Sequence, residues 1–464
     1  MKLRFNFSKI SRNSIFLHSF VLLFLAYLFS TCAREVAKDD YTLDDKLIKS
    51  IKASAPNGDI RDFILVSGEN LDEIPNQDPK NPINATKVKL GKMLFHEPGI
   101  GILANKPEGM NSFTCASCHI ASKGFTAGRI QGVADGAQGF GISGEGRSKF
   151  PHYKGDEVDA QGARPLPTIN LAYVRNALWA GSFGSFSLNE GTQSVWKNDT
   201  LTEVNFLNIE GLEANNIRAL QVHRMTMNKD LASYYGYKPM FDEAFPEIPE
   251  MDRYSLKTTA FAIAAYFRTI TTHQAPFQKW LKGDLNAMSE KQKKGAELFF
   301  GKAGCVRCHN SPSLNSFNFF ALGVYDLYQN KVGEVFRTGP TDKRVKGRAG
   351  FTDRPEDLYK FKVPQLYNLK PVGFYFHGAS KLTLREVVEY FNNGIPENPI
   401  VPETQISGFF KPLHMTADEM DALTEFLENG LFDPTLEKYK PEHVLSFMCF
   451  PDNDPVSRKD LNCN

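Results

Sequence analysis

Two short segments of the chain share the pattern Cys-x-x-Cys-His, and this pattern constrains the fold more than any other feature. The first motif, residues 115–119, reads C-A-S-C-H, and the second motif, residues 305–309, reads C-V-R-C-H. This is the attachment signature of c-type haem, in which two thiols bond to the haem vinyl groups and the adjacent histidine reaches the iron. A lone Cys-x-x-Cys could instead be a redox or zinc pair. Two copies that both end in histidine predict two covalently bound haem c groups, attached at Cys115, Cys118, Cys305 and Cys308 and ligated by His119 and His309.

The start of the chain predicts export. A basic stretch without acidic residues precedes an apolar run, residues 15–29, which is short for a membrane span. Residues 1–32 are therefore predicted to be a signal peptide. The segment that ends at Cys32 resembles a lipobox, so a lipid anchor at Cys32, plain cleavage and an uncleaved anchor all stay open. The predicted location is the periplasm, either free or as a lipoprotein facing it.

Cysteine usage and charge agree with this class of protein. Cys449 and Cys463 lie outside the motifs, and in an oxidising compartment they could close a small disulfide loop or remain two thiols. The formal net charge of +1 over 464 residues gives no electrostatic argument for a nucleic-acid partner.

The surroundings of the two motifs are duplicated. A helix is predicted from the N-cap Asn84 through Phe95, and a second begins at Ser289 with Gln292 in a capping box. Each helix carries Gly-x-x-Leu-Phe and is followed by a loop and a Cys-x-x-Cys-His motif. We predict an all-α fold of two c-type cytochrome domains, with long irregular loops. The expected boundaries are a tether and irregular segment at 33–82, haem domains at 83–275 and 276–440, and a tail at 441–464.

Further helices fill these domains. They are predicted over residues 212–225 and 256–270, from the cap Thr383 to Asn392, and from the cap Thr416 to Leu427. No segment alternates like a convincing strand, so at most a short hairpin is expected. Residues 124–162 are rich in glycine and show little periodicity, which is typical of a functional or mobile loop.

Over about residues 85–430 the chain resembles the bacterial di-haem cytochrome c peroxidases and their MauG-like relatives. Residues 164–170 and 179–181 resemble the family's R-N-x-P-T-x-x-N and F-W-D-G-R segments. Residues 361–368 resemble F-K-x-P-x-L-R-N. Residues 375–378 and 383–391 resemble Y-x-H-x-G and T-L-x-x-V-V-x-x-Y.

The resemblance implies a division of labour between the haems. The haem of the first motif would cleave hydrogen peroxide, and that of the second would receive electrons from a small donor, a cytochrome c or a cupredoxin. A tryptophan between the haems would help electrons cross, and Trp179 lies at its position; the alternative is a tryptophan of the core. A homodimer stays open.

Around the first haem the sequence departs from the family. A histidine of the mobile loop is the family's switchable axial ligand, and His152 is the candidate here, against an exposed loop histidine. Asn215 stands where the family has a catalytic glutamine, and no acid stands at the glutamate position. His223 could do the acid–base work and Arg224 could stabilise negative charge. Alternatively, both complement a helix dipole.

Around the second haem the departure is Phe391, which stands where the family places a ligating methionine or tyrosine. Met415 could replace that ligand, although with Met420 it also fits a hydrophobic staple. Many relatives bind Ca²⁺ through an asparagine whose place Pro165 takes here. A Ca²⁺ site would have to use backbone oxygens and is not expected.

The predicted function is that of an oxidoreductase of the cytochrome-c peroxidase type, which reduces hydrogen peroxide to water with electrons entering through the C-terminal haem. One alternative is a MauG-like enzyme that oxidises a protein or another substrate with a high-valent haem state. A second is a non-catalytic di-haem electron carrier or sensor.

Overall fold

Helices dominate the regular structure of residues 41–463, the part of the chain that this computed structural model describes. The predicted signal peptide and Cys32 lie outside these residues. In chain order the helices are α1 (Leu43–Ser54), α2 (Ala85–Phe95), α3 (Gly211–Val222), α4 (Lys229–Tyr234), α5 (Lys238–Ala244), α6 (Glu250–Arg253), α7 (Leu256–Thr269), α8 (Pro276–Leu281), α9 (Glu290–Phe300), α10 (Ala349–Thr352), α11 (Leu384–Asn393), α12 (Ala417–Glu425) and α13 (Pro455–Asp460).

Sheet structure is confined to two short antiparallel ladders in this part of the chain. Strand β1 (Ala137–Gln138) pairs with β2 (Ser148–Lys149), and β3 (Phe319–Phe320) pairs with β4 (Phe361–Lys362). The mostly helical class predicted from the sequence is confirmed. Among residues 41–463, no helix combines the length and apolar character that a membrane span needs.

The helix starts follow the predicted caps. Asn84 Oδ1 accepts a hydrogen bond of 2.8 Å from the backbone of Lys87 and so caps α2. Ser289, Thr383 and Thr416 each form the reciprocal capping box at the start of α9, α11 and α12. Each box satisfies backbone N–H groups that a helix start leaves without partners, which is why the sequence signal located these ends. The helix that begins at Thr416 continues as a π-helical turn, Phe426–Gly430.

The duplication seen in the sequence is a duplication of helix crossings. α2 packs against α7, and α9 packs against α12. A Cβ atom placed on Gly91 would lie 1.9 Å from the carbonyl oxygen of Ala262, and one on Gly295 would lie 2.0 Å from that of Ala422. The glycine of each Gly-x-x-Leu-Phe therefore lets two helix backbones touch where any side chain would separate them.

Contacts divide the chain into two units, Met1–Lys46 and Leu47–Asn464. Both motifs and every site described below lie in the second unit. The proposed division of that unit into haem domains at about residue 275 stays a prediction.

The C-terminal tail is closed by a disulfide between Cys449 and Cys463, which confirms the first of the two alternatives for this pair. Helix α13 lies inside the loop that the disulfide closes. Asp454 caps this helix through backbone N–H groups and also accepts a hydrogen bond of 3.0 Å from Gly139 in the glycine-rich loop. The tail is thereby fixed to the segment that follows the first motif.

Candidate functional site

The two motifs have the same local geometry. Each begins with a single 3₁₀ turn, Cys115–Ser117 or Cys305–Arg307, and in each the histidine N–H donates to the carbonyl of the first cysteine. His119 Nδ1 donates to the carbonyl of Phe125 at 3.0 Å, and His309 Nδ1 donates to that of Leu314 at 2.7 Å. A carbonyl oxygen can only accept, so both rings carry their proton on Nδ1 and leave Nε2 for a metal.

The four cysteines of the motifs form no disulfide; Cys118 is buried, and the other three are half-buried. Burial raises the pKa of Cys115, of Cys118 and of Cys305 to about 12, and it raises that of Cys308 as well. Zinc sites and redox pairs need thiolates, which nearby positive charge usually favours. Arg147 near Cys118 and Arg307 near Cys308 lower the pKa of these thiols, but burial has the larger effect, so the neutral thiol is favoured at all four positions.

His223 belongs to the first motif's site. Met225, two residues further on, brings its Sδ to 3.9 Å from Cys115 Sγ. The pKa of His119 is lowered to about 4, chiefly by burial, and the charge of His223 lowers it further. We call the surroundings of the first motif, with His223 and Met225, the first site.

A carboxylate orients His223. The imidazole Nδ1 donates to Asp159 Oδ2 at 2.7 Å, and Asp159 is buried. Burial opposes protonation of His223, but the charge and the hydrogen bond of Asp159 outweigh it and raise the pKa of His223 above its ordinary value. Within residues 41–463, Nε2 of His223 has no hydrogen-bond partner. Asp159 thus fixes Nδ1 of His223, and Nε2 remains available to a bound substrate.

Arg224 is held by a second carboxylate. Its Nη1 donates to Asp135 Oδ2 at 2.8 Å, and Tyr153 donates to the other oxygen of Asp135 at 2.7 Å. Arg224 adopts φ of 56° at the end of α3, a position where glycine is usual and another residue costs about 1 kcal/mol. The two aspartates are joined by a backbone hydrogen bond of 2.8 Å from Asp159 N–H to Asp135 C=O. Through these two aspartates, the glycine-rich loop holds both His223 and Arg224 in place.

The sequence pattern indicates His223 and Arg224 but not Asp135 and Asp159. Neither aspartate lies in a periodic segment, and each is separated from its partner by more than sixty residues. The available signal was weak, because these are two of the five acidic residues in the glycine-rich loop.

A cavity of about 270 Å³ adjoins the second motif. Cys305, Cys308 and His309 line it, and its wall consists mostly of apolar and aromatic side chains from α11, the turn Phe426–Gly430 and the loops between them. Arg164 and Lys362 contribute its buried positive charge. A thiol pair, a histidine with Nε2 available and an apolar enclosure are what a covalently attached haem needs, so these residues fit that group.

Trp179 lines the same cavity. Its indole Nε1–H donates to the carbonyl of Arg164 at 2.7 Å, and its own carbonyl accepts from the backbone of Lys362 at 2.8 Å. The ring lies 6.1 Å from that of His377 in an edge-to-face arrangement. The indole is therefore fixed in orientation beside the second motif's cavity.

The sequence of this chain is similar to those of known di-haem proteins. The family model for the di-haem cytochrome c peroxidases matches residues 85–286. The cytochrome-c peroxidase IdrP1 of Denitromonas iodatirespirans is 29% identical over 75% of this chain and 82% of its own. The methylamine utilization protein MauG of Methylorubrum extorquens is 27% identical over 76% of this chain and 80% of its own.

The chain is thus similar to the di-haem cytochrome c peroxidase and MauG family. The crystal structure of a MauG-like protein associated with microbial copper homeostasis shares the fold, with a TM-score of 0.53 and 21% identity over 78% of this chain and 93% of that one. Similarity to this family implies haem cofactors. Covalent attachment at the two motifs stays a prediction.

Phe391, which the resemblance assigns to the family's sixth-ligand position, lines the second motif's cavity. The neighbouring Tyr390 is committed elsewhere, because its hydroxyl donates to the carbonyl of Leu322 at 2.7 Å. Met415 also lines the cavity, with only 6% of its surface exposed, and its backbone N–H donates to Asn392 Oδ1. Ligation by Met415 stays a prediction, now with the thioether on the cavity wall.

His152 faces solvent, since 86% of its side chain is exposed, and its nearest ionic neighbour is Glu108 at 3.9 Å. To act as a switchable axial ligand, His152 would have to turn inwards. In the conformation described here, His152 does not contribute to the first site, and its role as an axial ligand stays a prediction.

Proposed function

We propose that the chain is a di-haem peroxidase that reduces hydrogen peroxide to water at the first site, with electrons entering from a small redox protein at the second. The observation that carries this proposal is the pairing of His223 with Asp159 at the first site, which supports an acid–base role. Haem iron, when bound, supplies peroxide binding and electron transfer. The overall reaction joins H₂O₂, two electrons and two protons to give two molecules of water.

His223 is suited to move a proton between the peroxide oxygens. Its free Nε2 can take the proton from one oxygen and return it to the other, so that the second oxygen leaves as water. Asp159 keeps Nδ1 protonated and holds the ring while this happens. This arrangement replaces the glutamine and glutamate that the family uses and this chain lacks.

Arg224 is suited to stabilise the negative charge that develops as the O–O bond breaks. Asp135 binds only one of its nitrogen atoms, Nη1, so other N–H groups of the guanidinium remain for that purpose. Because the side chain is already fixed, little reorganisation accompanies the reaction.

Electrons would reach the first site past Trp179, whose orientation is set by the carbonyl of Arg164. We place the reaction in the periplasm. The predicted signal at residues 1–32 supports this location, and so does the disulfide between Cys449 and Cys463, because such bonds persist in oxidising compartments.

The test is peroxide-dependent oxidation of a reduced cytochrome c by the haem-loaded protein. His223→Gln should lower turnover by about 10²- to 10⁴-fold, the range for loss of a general acid–base group. Asp159→Asn should act in the same direction with a smaller effect. His443→Gln, at an exposed histidine stacked on Phe447, is the matched control and should leave turnover unchanged. Full turnover by His223→Gln would exclude the acid–base role.

A second candidate is a MauG-like enzyme that oxidises a partner protein. The observation that favours it is Phe391 on the wall of the second cavity, where peroxidases of the family carry methionine. Peroxide addition with no external donor distinguishes the two candidates: a long-lived near-infrared absorption supports the second, and rapid consumption that needs reduced cytochrome supports the first. If the protein does not react with peroxide at all, the remaining candidate is a non-catalytic electron carrier or sensor.

A further inference from the structure

Two buried cations on the wall of the second motif's cavity have no carboxylate partner. Arg164 and Lys362 are 3% and 5% exposed, and both line the cavity. Lys362 Nζ donates to the carbonyl of Asn176 at 2.7 Å. Arg164 donates to the carbonyls of Arg129 and Ala127 at 2.8 and 3.1 Å. Among the residues that the structure describes, no aspartate or glutamate forms an ion pair with either cation.

Two other buried arginines are paired with carboxylates. Arg268 and Glu213 form a two-pronged ion pair, with distances of 2.5 and 2.8 Å, in the core, and Arg147 lies 2.7 Å from Asp452. Burying a charge without such a counter-ion is costly. Arg348 is buried as well and, among the described residues, donates only to backbone carbonyls, but it does not line the cavity. Arg164 and Lys362 therefore combine an uncompensated buried charge with a place on the cavity wall.

The electrostatics of the two residues point the same way. Burial, together with a smaller contribution from the charge of Arg348, lowers the pKa of Lys362 to about 7. Burial lowers the pKa of Arg164 to about 9. Each value is what a cation shows when the protein itself supplies no adjacent anion. The missing negative charge has to enter through the cavity that both residues line.

We propose that Arg164 and Lys362 bind the propionate carboxylates of the haem held by the second motif. This inference rests on the proposed function, because it requires haem at that motif. A c-type haem is attached through its vinyl groups and carries two carboxylates on the opposite edge, so burying it in an apolar cavity demands two positive charges there. The cavity holds Cys305 and Cys308 for the first edge and Arg164 and Lys362 for the second.

The same two residues hold Trp179. The carbonyl of Arg164 accepts the indole N–H, and the backbone N–H of Lys362 donates to the carbonyl of Trp179. The propionate site and the tryptophan thus form one hydrogen-bonded unit. With haem bound there, Trp179 would adjoin the proposed propionate site, which fits its proposed place on the electron route.

The experiment uses the fully matured protein and the variant Lys362→Met, which keeps the length of the side chain and removes its charge. We expect the reduction potential of the second haem to move to a lower value, because loss of a nearby cation favours the oxidised iron. We also expect the propionate bending modes in resonance Raman spectra to shift. Lys362→Arg, which keeps the charge, should restore both. The second haem's signals are assigned with Cys305→Ala/Cys308→Ala.

Lys360→Met is the matched control, since it removes the same charge two residues away from a side chain that does not line the cavity. It should change neither readout. If Lys362→Met does not yield haem-loaded protein, Arg164→Lys takes its place. This change should also shift the propionate modes, because an ammonium group cannot donate the two parallel hydrogen bonds of a guanidinium.

Unchanged potential and unchanged propionate modes in protein that carries two haems by intact mass would overturn the inference and leave the proposed function standing. Wild-type protein that carries no covalent haem by mass, after expression with a haem-attachment system, would instead overturn the proposed function itself.

Discussion

Ser117 Oγ donates a hydrogen bond of 2.5 Å to Asp452 Oδ1, and this contact joins the first motif to the C-terminal tail. Asp452 also lies 2.7 Å from Arg147, and both side chains are buried. Pro451 adds a carbonyl that accepts from Thr114 and Ser117. The tail therefore reaches into the segment that carries Cys115 and Cys118, and it fixes the loop through Arg147.

Removing Asp452 should destabilise the protein strongly. Asp452→Ala leaves Arg147 buried without its main partner, and breaking a buried ion pair in this way costs about 3–5 kcal/mol. We expect a loss near the lower end, because Asp454 remains 3.9 Å from the same guanidinium. The measurement is the free energy of unfolding of the haem-loaded protein by denaturant titration.

Asp421→Ala is the control for this prediction. Asp421 pairs with Arg385 at the surface, with about half of its side chain exposed, and such pairs contribute about 0–1 kcal/mol. Equal losses for the two variants would show that the contact between tail and motif is not a stabilising one.

The disulfide between Cys449 and Cys463 should stabilise the same contact. The two cysteines are separated by 14 positions, and closing a loop of that size is worth about 3 kcal/mol in the chain-entropy model. Cys449→Ser/Cys463→Ser should unfold at correspondingly lower denaturant concentration. A reductant should shift the wild type to the same midpoint and leave the double variant unchanged; a wild type insensitive to reductant would contradict the prediction.

The fold was predictable where local chemistry determines structure. Asn84, Ser289, Thr383 and Thr416 satisfy backbone N–H groups within three residues of themselves, so their sequence neighbourhood alone indicated a helix start. The glycines of the two Gly-x-x-Leu-Phe segments were noticed as a repeat, but their role was not predictable, because it depends on carbonyl groups of Ala262 and Ala422 that lie far away in the sequence.

Replacing either of these glycines should separate a pair of helices. In Gly91→Ala and Gly295→Ala the new methyl group would meet a backbone oxygen at about 2 Å, and backbone cannot move aside cheaply. Overpacking of this kind costs typically about 1–3 kcal/mol, occasionally more. The free energy of unfolding measures it. Gly408→Ala, where a Cβ atom would meet nothing within 4 Å, is the control and should differ little from the wild type.

The candidate site was predictable only in part. The motifs identify Cys115, Cys118 and His119 by spacing alone, because a haem that is attached by two bonds requires that spacing. The hydrogen bond between His223 and Asp159 joins the end of α3 to a distant loop. It depends on tertiary packing, and sequence periodicity does not encode such a contact. The burial of Lys362 was likewise not evident from the sequence, because a lysine side chain is usually solvated.

Trp179→Phe tests the electron route between the two motifs. The change keeps an aromatic ring but removes the N–H that donates to the carbonyl of Arg164. We expect turnover with reduced cytochrome c to fall by about tenfold, equivalent to a barrier increase of ~1.4 kcal/mol. Stopped-flow observation of the two haems should show slower electron transfer between them, whereas reaction of the reduced first haem with peroxide should keep its rate.

Trp196→Phe separates this effect from simple loss of stability. Trp196 is buried, whereas Trp179 is half-buried, and the indole N–H of Trp196 donates to Thr192 Oγ1 at 2.9 Å, so the variant loses an equivalent hydrogen bond. Trp196 does not line the second motif's cavity. Both variants should therefore lose about 0.5–1.5 kcal/mol of stability, while only Trp179→Phe slows electron transfer. If Trp196→Phe slows it equally, the effect is one of folding, and Trp179 is a residue of the core.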